Sequence, residues 1–281
     1  MLSFPVIDAA VEQALREDLG SGDPTTEAIV SPADRGIARA VAKRPLVVCG
    51  GDVFGRVFYK LDASLRVERR CAEGARAEPG DVLWIVEGAT ASILAGERTA
   101  LNFAQRMSGI ATLTAAFVAA VPEGSPLVIV DTRKTTPGLR AFERYAVRTG
   151  GGKNHRSDLG AMILVKDNHV AAAGGVRSAI ERVRARASHA LRIEVEVTSL
   201  AELDEALDAR ADIVMLDNFR KDEVVEAVRR SKGRAVVEVS GGVTLERVPD
   251  IARLGVDVAS VGALTHSAPA ADISLELERI G

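Results

Sequence analysis

The chain has 281 residues, of which 47% are hydrophobic and 4% aromatic, and its formal net charge is -3. This length and apolar content suffice for one large or two modest packed domains and exclude a disordered chain. The mixed charge, without a basic tail, argues against nucleic-acid binding. Two cysteines without CxxC spacing indicate neither a zinc site nor disulfides, which favours a cytoplasmic location. No apolar run approaches the length of a membrane span, so we expect a soluble protein without a membrane partner.

The first third of the chain mixes helical and strand patterns. Apolar spacing predicts a helix from Asp8 to Leu19, and the Gly and Pro of SGDPTTE predict a loop after it. Strand patterns at 37–48 and 65–69 flank the helical segment GDVFGRVFYKL, and another strand follows a Pro-Gly turn. A long helix is predicted over 93–121, with Gly109 as a point of interruption.

The long helix carries polar residues on one side of its first turns. Arg98, Asn102 and Gln105 stand at i, i+4 and i+7, which places them on the same face. From this spacing alone we interpret the face as solvated.

Beyond Pro126, short apolar strands alternate with amphipathic helices. The strand segments are LVIVD, AMILVKD, RIEVEV, DIVMLDN, AVVEVSG and DVASVGA. The predicted helices lie at 139–148, 176–187, 200–209, 221–231 and 245–254. Near-continuous Val, Ile and Leu runs are typical of strands covered on both faces. The predicted fold class is therefore α/β, with a parallel sheet that is closed or nearly closed into a barrel.

Nearly every strand of this repeat ends in polar residues, and in such folds ligands meet the carboxyl ends of the strands. One group is cationic and suits anionic substrate groups: Arg133, Lys134, His155, Arg156 and Lys166. Glu196 and Asp217 form an anionic group, which suits ribose hydroxyls or a magnesium ion. Glycine-containing turns at Ser240, Gly241 and Gly262 suit a phosphate cradle.

Other interpretations of these residues stay open at this point. Lys166 and Glu196 could simply pair as buried charges. Lys166 could also form a Schiff base at its strand end, as lysines do in aldolases. The glycine turns could serve only the backbone. We interpret His155, in the segment GGGKNHR, as a hydrogen-bond donor to substrate and only secondarily as an acid or base.

Several segments carry a resemblance to a known family. They are ERTALNFAQRMSGIAT, DTRKTTPGLRAFERYAVRTGGGKNHR, LVKDNHV, EVEV, VMLDNF, SGGVTLE and VGALTHSAPAADISL. Together they resemble quinolinate phosphoribosyltransferase over nearly the whole chain, most weakly before Pro79. The resemblance implies that quinolinate and 5-phosphoribosyl 1-diphosphate (PRPP) give nicotinate mononucleotide, carbon dioxide and diphosphate in NAD biosynthesis. It implies Mg²⁺ and no organic cofactor.

The resemblance also implies an architecture and a site. Residues 1–110 would form an α/β sandwich to which the tail 268–281 returns, and 111–267 an incomplete α/β barrel. A homodimer, or a higher oligomer, would bring Arg98 into the partner's site, which reverses the solvated interpretation of its helix face. The quinolinate-binding set would be Arg98, Arg133, His155, Arg156 and Lys166. The PRPP-binding set would be Lys134, Glu196, Asp217, Ser240, Gly241 and Gly262, with Glu196 and Asp217 also holding magnesium.

Three alternatives accompany this assignment. A molybdenum-associated subfamily shares the fold and the DTRKT region, although the intact KNHR segment favours quinolinate. A Schiff-base lyase would use Lys166 on a carbonyl substrate. A sensor would bind an anionic metabolite without turnover. Val239 and Thr149 depart from the residues usual in the family, and both lie outside the charged set.

Overall fold

The computed structural model describes residues 2–280, so that Met1 and Gly281, at the outer ends of the expected sandwich range and tail, lie outside the described residues. The helices are α1 (Phe4–Asp18), α2 (Pro24–Ile29), α3 (Gly51–Leu61), α4 (Thr90–Ala119), α5 (Arg140–Thr149), α6 (Asp167–Ala173), α7 (Val176–Arg186), α8 (Leu200–Asp208), α9 (Lys221–Ser231), α10 (Val248–Arg253) and α11 (Ala263–His266). The strands are β1 (Arg35–Ala42), β2 (Leu46–Val47), β3 (Arg66–Arg69), β4 (Arg76–Ala77), β5 (Val82–Ala89), β6 (Val128–Val130), β7 (Ile163–Val165), β8 (Ile193–Val197), β9 (Ile213–Asp217), β10 (Val236–Ser240), β11 (Val258–Ser260) and β12 (Ile273–Ile280).

The chain divides into two units. The first runs to Ala115 and also contains Thr135–Gly151 and the chain from Ala263 onward. The second contains Ala116–Lys134 and Gly152–Gly262. The two contiguous ranges expected from the sequence, which divide at residue 110, stay a prediction. No helix within residues 2–280 combines the length and the apolar character that crossing a membrane requires.

An antiparallel sheet and its covering helices form the core of the first unit. The four strands lie in the order β12-β1-β5-β3, so the last strand of the chain pairs with the first. Phe54 of α3 is fully buried and stacks on Trp84 of β5 with ring centroids 4.7 Å apart. Burial of an aromatic side chain of this kind contributes about 1.5–3 kcal/mol. The spacing of Val53, Phe54, Val57 and Phe58 is therefore the pattern that fixes which face of α3 is buried.

The segment SGDPTTE contains a helix where the sequence pattern predicts a loop. Helix α2 begins at Pro24, and the Asp23 side chain accepts a hydrogen bond from the Thr26 backbone N–H at 3.0 Å. Proline at the first helical position costs no hydrogen bond, and an aspartate before it satisfies a free N–H group. The loop prediction is wrong over α2, because the aspartate and proline that follow the end of α1 also start α2.

Helix α4 continues without a break through Gly109. A Cβ atom at this position would lie 2.0 Å from the backbone oxygen of Pro269. The glycine therefore permits close approach of the C-terminal segment, and the interruption expected there does not occur.

The second unit is built on one parallel sheet. Its six strands lie in the order β6-β11-β10-β9-β8-β7. Every recorded pairing is parallel, and none joins β6 to β7 among the residues that the structure describes. The sheet is therefore an incomplete α/β barrel, as the sequence predicts. The strand pattern misses α6, which begins directly after Lys166, and the helix predicted over 245–254 is a 3₁₀ turn followed by α10.

We expect Gly109→Ala to lower the free energy of unfolding by about 1–3 kcal/mol, because the added methyl group meets rigid backbone. Helix propensity alone would favour alanine by roughly 1 kcal/mol. Urea unfolding of both proteins measures the difference. Gly55→Ala in α3 is the matched control, since its Cβ would meet only Val67 at 3.7 Å. Equal stability of Gly109→Ala and the wild type would contradict the close-approach explanation.

Candidate active site

Charged side chains of three neighbouring strands project from one face of the parallel sheet. In the strand register Glu196 lies beside Met215, Met215 beside Glu238, and Asp217 beside Ser240. Because residues two apart on a strand point to the same side, these acidic groups share a face. Short apolar strands thus bring residues from distant parts of the sequence to a common edge.

Lys166 and Glu196 form an ion pair at the carboxyl ends of β7 and β8. The Lys166 Nζ lies 3.8 Å from Glu196 Oε2, and the lysine side chain is 50% exposed. Burial raises the pKa of Glu196, with the charge of Lys166 opposing the rise and that of Asp217 adding to it. His169 braces the lysine backbone, because its Nδ1 accepts the Lys166 N–H at 3.0 Å. An amine of this exposure can meet a substrate.

Two arginines give this region a concentrated positive charge. Burial lowers the pKa of Arg156, and the neighbouring charge of Arg133 lowers it further. A guanidinium whose pKa is lowered in this way lies close to another positive charge, in a site where water only partly screens the repulsion. Arg156 Nη1 also donates to the backbone oxygen of Met162 at 3.2 Å, which limits its orientation. Each of the two guanidinium groups offers a fork of N–H donors, which suits carboxylate oxygens.

His155 lies at the base of these arginines and contacts two buried glutamates. Its Nε2 is 3.1 Å from Glu194 Oε2 and 3.6 Å from Glu238 Oε1. Its Nδ1 accepts the Arg156 backbone N–H at 2.8 Å. Both ring nitrogens therefore face protein groups in this structure, while direct donation from His155 to a substrate stays a prediction.

Burial and charge oppose each other in this cluster. Burial lowers the pKa of His155, but the hydrogen bond and charge of Glu194 together with the charge of Glu238 outweigh it, so the pKa is raised. Burial raises the pKa of Glu238 to about 7, and the charge of Glu194 adds to the rise while that of His155 opposes it. The protonation of His155 and that of Glu238 therefore depend on each other.

Asp131 holds the backbone of the same segment. This fully buried carboxylate accepts the His155 N–H at 2.7 Å and the Asn154 side-chain amide at 2.5 Å. Both bonds go to a charged acceptor, which makes them stronger than bonds between neutral groups. The end of β6 and the segment that carries His155 are thereby joined.

The turn after β10 has the backbone that a close ligand contact requires. Gly241 has a φ of 84° and Gly242 a φ of 58°, both in the left-handed region. A Cβ at Gly241 would lie 3.7 Å from Asp217 Oδ1, so the turn runs beside that carboxylate. Glycine is therefore needed here for conformation and leaves backbone N–H groups accessible.

The remaining predicted residues occupy different places. Lys134 is exposed after β6, Ser240 ends β10 and Gly262 follows β11. Arg98 is exposed on α4 in the first unit. The second unit thus contains the predicted cationic and acidic groups of the strand ends, of which Lys166 and Glu196 are paired, and Arg98 lies in the first unit.

The sequence pattern places Asp131 and Glu238 among the polar strand ends without giving either a role in the site, and Glu194 was missed altogether. Glu194 and Glu238 stand inside apolar strand segments, and all three side chains are almost completely buried. A charged residue in the middle of a buried strand is itself a signal, because an unpaired buried charge is costly. The alternation in IEVEV could also have shown that Glu194 and Glu196 share a face.

We expect the chain to lose stability as the pH rises from about 5 to about 8, because Glu238 and His155 have folded-state pKa values above their unfolded values. The contribution of Glu238 is complete below its unfolded pKa and is lost as the pH passes through about 7, and that of His155 is lost as the pH passes through its own raised pKa. Glu238→Gln, which does not titrate, should reduce the loss by about 1–3 kcal/mol. Urea unfolding across this range measures it, with exposed Glu205→Gln as control. An unaltered pH slope in Glu238→Gln would refute the assignment.

Comparison with known proteins places this site in a family. The family model "Quinolinate phosphoribosyl transferase, N-terminal domain" matches residues 23–108, and the model of the C-terminal domain matches residues 110–276. A nicotinate-nucleotide pyrophosphorylase [carboxylating] of Mycobacterium leprae is 46% identical, with 99% of this chain and 100% of that protein covered. The human protein of the same name is 42% identical, with 99% and 94% covered.

A solved structure gives the same result for the fold. The structure of NadC from Streptococcus pyogenes has a TM-score of 0.96 and 41% sequence identity, with 100% of this chain and 99% of that chain covered. The likeness extends over both the matched N-terminal and C-terminal domains. The chain belongs to the quinolinate phosphoribosyltransferase family.

Proposed function

We propose that this chain transfers the phosphoribosyl group of PRPP to quinolinate with decarboxylation, as a carboxylating nicotinate-nucleotide diphosphorylase of NAD biosynthesis. The products are nicotinate mononucleotide, carbon dioxide and diphosphate. The observation that carries the proposal is that both glutamates of β8 face cations, Glu196 pairing with Lys166 and the charge of Glu194 acting on Arg156. Family membership supports the same reaction.

Quinolinate is a dicarboxylate and requires several cations. Arg133 and Arg156 supply paired donors, and the exposed amine of Lys166 supplies a third positive group. His155 belongs to the same proposed set through its contact with Arg156. PRPP is a polyanion and repels the dicarboxylate. The cations hold quinolinate in place despite this repulsion, and the resulting proximity of the reacting atoms lowers the activation barrier of the transfer.

The acidic groups suit the ribosyl half of the reaction. As diphosphate leaves, positive charge develops on the ribose, and Glu196 and Asp217 can stabilise it or bind the ribose hydroxyls. Lys134 is proposed on the diphosphate side, and the turns at Ser240, Gly241 and Gly262 on the 5-phosphate side.

Glu196 and Asp217 also fit a magnesium ion. They are oxygen donors on adjacent strands and the same face, and the charge of Asp217 acts on Glu196. Mg²⁺ prefers such ligands and shares them with substrate phosphates. When bound, the ion would neutralise charge on the phosphate oxygens. No organic cofactor is proposed, since the pyridinium nitrogen formed on transfer can accept the electrons released with carbon dioxide.

The proposed assembly is a cytoplasmic homodimer, or a higher oligomer of it, in which Arg98 enters the site of the partner. Arg98 is exposed on α4, so its guanidinium is available to another chain. A further cation from outside the second unit would complete the set for a substrate with two carboxylates.

The turnover assay uses purified chain, PRPP, Mg²⁺ and quinolinate labelled in the carboxylate that is lost. We expect labelled carbon dioxide and nicotinate mononucleotide, with no turnover of nicotinate. Arg133→Ala and Lys166→Ala should each weaken quinolinate binding at least about 100-fold in calorimetry, because each leaves a carboxylate without its partner. Exposed Arg186→Ala and Lys232→Ala are the matched controls.

Three results would contradict the proposal. Wild-type affinity in Arg133→Ala or Lys166→Ala, with folding verified by circular dichroism, would remove these residues from the site. Turnover of nicotinate in place of quinolinate would assign another substrate. A borohydride-trapped adduct on Lys166 with a carbonyl substrate would favour the Schiff-base lyase.

Mixing two inactive variants tests the shared site. If Arg98 of one subunit serves the site containing Lys166 of the other, Arg98→Ala and Lys166→Ala subunits form mixed dimers with one intact site. Random reassembly of equal amounts should recover about one quarter of wild-type activity. Arg186→Ala mixed with Lys166→Ala provides the control for simple dilution. No recovery after verified subunit exchange would place Arg98 in the site of its own subunit, or in none.

A further inference from the structure

The imidazole of His155 is held from both sides. Nδ1 accepts the Arg156 backbone N–H at 2.8 Å, which directs its lone pair to the backbone. The proton of the neutral ring is then on Nε2, and this atom is 3.1 Å from Glu194 Oε2. The hydrogen bond at Nδ1 sets the tautomer, and the contact at Nε2 places the Glu194 carboxylate against the protonated nitrogen.

Glu194 occupies a place that is costly for a carboxylate. Its side chain is fully buried, and neither of its oxygens has a partner in hydrogen-bond geometry among residues 2–280, although Oε2 lies 3.1 Å from His155 Nε2. A buried carboxylate with an unsatisfied oxygen reduces stability. Its contact with His155 compensates for part of this cost, and a buried polar group that is incompletely bonded requires an explanation beyond packing.

The contact between Glu194 and His155 is linked to Arg156 through the backbone. His155 and Arg156 are adjacent, and the ring accepts the N–H from which the arginine side chain follows. Arg156 Nη1 is also tied to Met162 O at 3.2 Å. A rotation of the imidazole would break its hydrogen bond with the Arg156 N–H. The orientation of the Arg156 side chain therefore depends on the orientation of the ring, which in turn depends on the contact with Glu194.

We propose that Glu194 is a positioning residue for substrate binding: through its 3.1 Å contact with His155 Nε2 it holds the ring that orients Arg156. The inference rests on the proposed function, in which Arg156 binds a quinolinate carboxylate. Glu194 stands two residues before Glu196 on β8 and on the same face, so one strand carries both a group proposed to face the substrate and a group that acts from beneath.

Kinetics of three variants test this role. Glu194→Ala removes the carboxylate and should raise KM for quinolinate about tenfold or more, with KM for PRPP nearly unchanged. Glu194→Gln keeps an oxygen beside the ring but loses the counter-charge, so it should raise KM for quinolinate less than Glu194→Ala does. Glu205→Ala makes the same change at an exposed position of α8 and should change neither constant.

A spectroscopic measurement separates this inference from the proposed function. The chain has 4 histidines, so the ring nitrogens of His155 can be assigned by ¹⁵N NMR with a His155→Gln sample. At a pH above the raised pKa of His155, we expect the wild type and Glu194→Gln to show one neutral ring form with protonated Nε2 and unprotonated Nδ1. Glu194→Ala should show exchange between ring forms. This result does not require turnover, so it stands even if quinolinate is not the substrate.

Definite outcomes would overturn the proposal. Equal increases in both KM values, or a loss of folded protein in Glu194→Ala with normal kinetics in the folded fraction, would make Glu194 merely structural. An unchanged His155 spectrum in Glu194→Ala would remove the link between the residues. A stoichiometric metal ion in the purified protein that is lost in Glu194→Ala would instead make His155, Glu194 and Glu238 a metal site.

Discussion

The site depends on the compensation of positive charge by carboxylates buried within the parallel sheet. Arg133 and Arg156 are close enough for one to depress the pKa of the other, and such a pair repels itself when no anion is bound. Glu194 lies beneath them, and its charge favours the protonated form of Arg156. The protein thus carries internal counter-charges that keep the cations together before substrate arrives, at the cost of burying carboxylates.

The parallel sheet makes this arrangement available. Its register places Glu196 beside Met215 and Met215 beside Glu238, so these two glutamates lie at the same level on one face. Groups at the carboxyl ends meet solvent, whereas those deeper in the strands are buried. The choice of strand matters as well, since Glu196 on β8 is partly exposed whereas Glu238, at the same level on β10, is buried.

The repeated apolar strands and amphipathic helices make the α/β class predictable, because periodicity follows directly from which faces are buried. Ordered motifs make the family predictable, and the family comparisons confirm it. The start of α2 was harder to predict. Asp23 caps this helix, but the glycine and proline beside it are also typical of a loop. Gly109 resembles a break in α4, and only the three-dimensional approach of Pro269 explains it. The roles of the buried glutamates were missed because the strand pattern shows which face of the sheet a polar residue lies on but not which residues surround it there.

The contrast between Glu194 and Lys166 shows why charge alone does not identify function. Lys166 is half exposed and its ion pair with Glu196 is 3.8 Å long, so an arriving anion can compete for the amine at small cost. Glu194 is fully buried against His155 at 3.1 Å, where no substrate can replace its partner without opening the sheet. The looser pair suits exchange with a ligand, and the tighter one suits orientation. A dicarboxylate site needs both, since a cation must be available to the substrate and still be directed before the substrate binds.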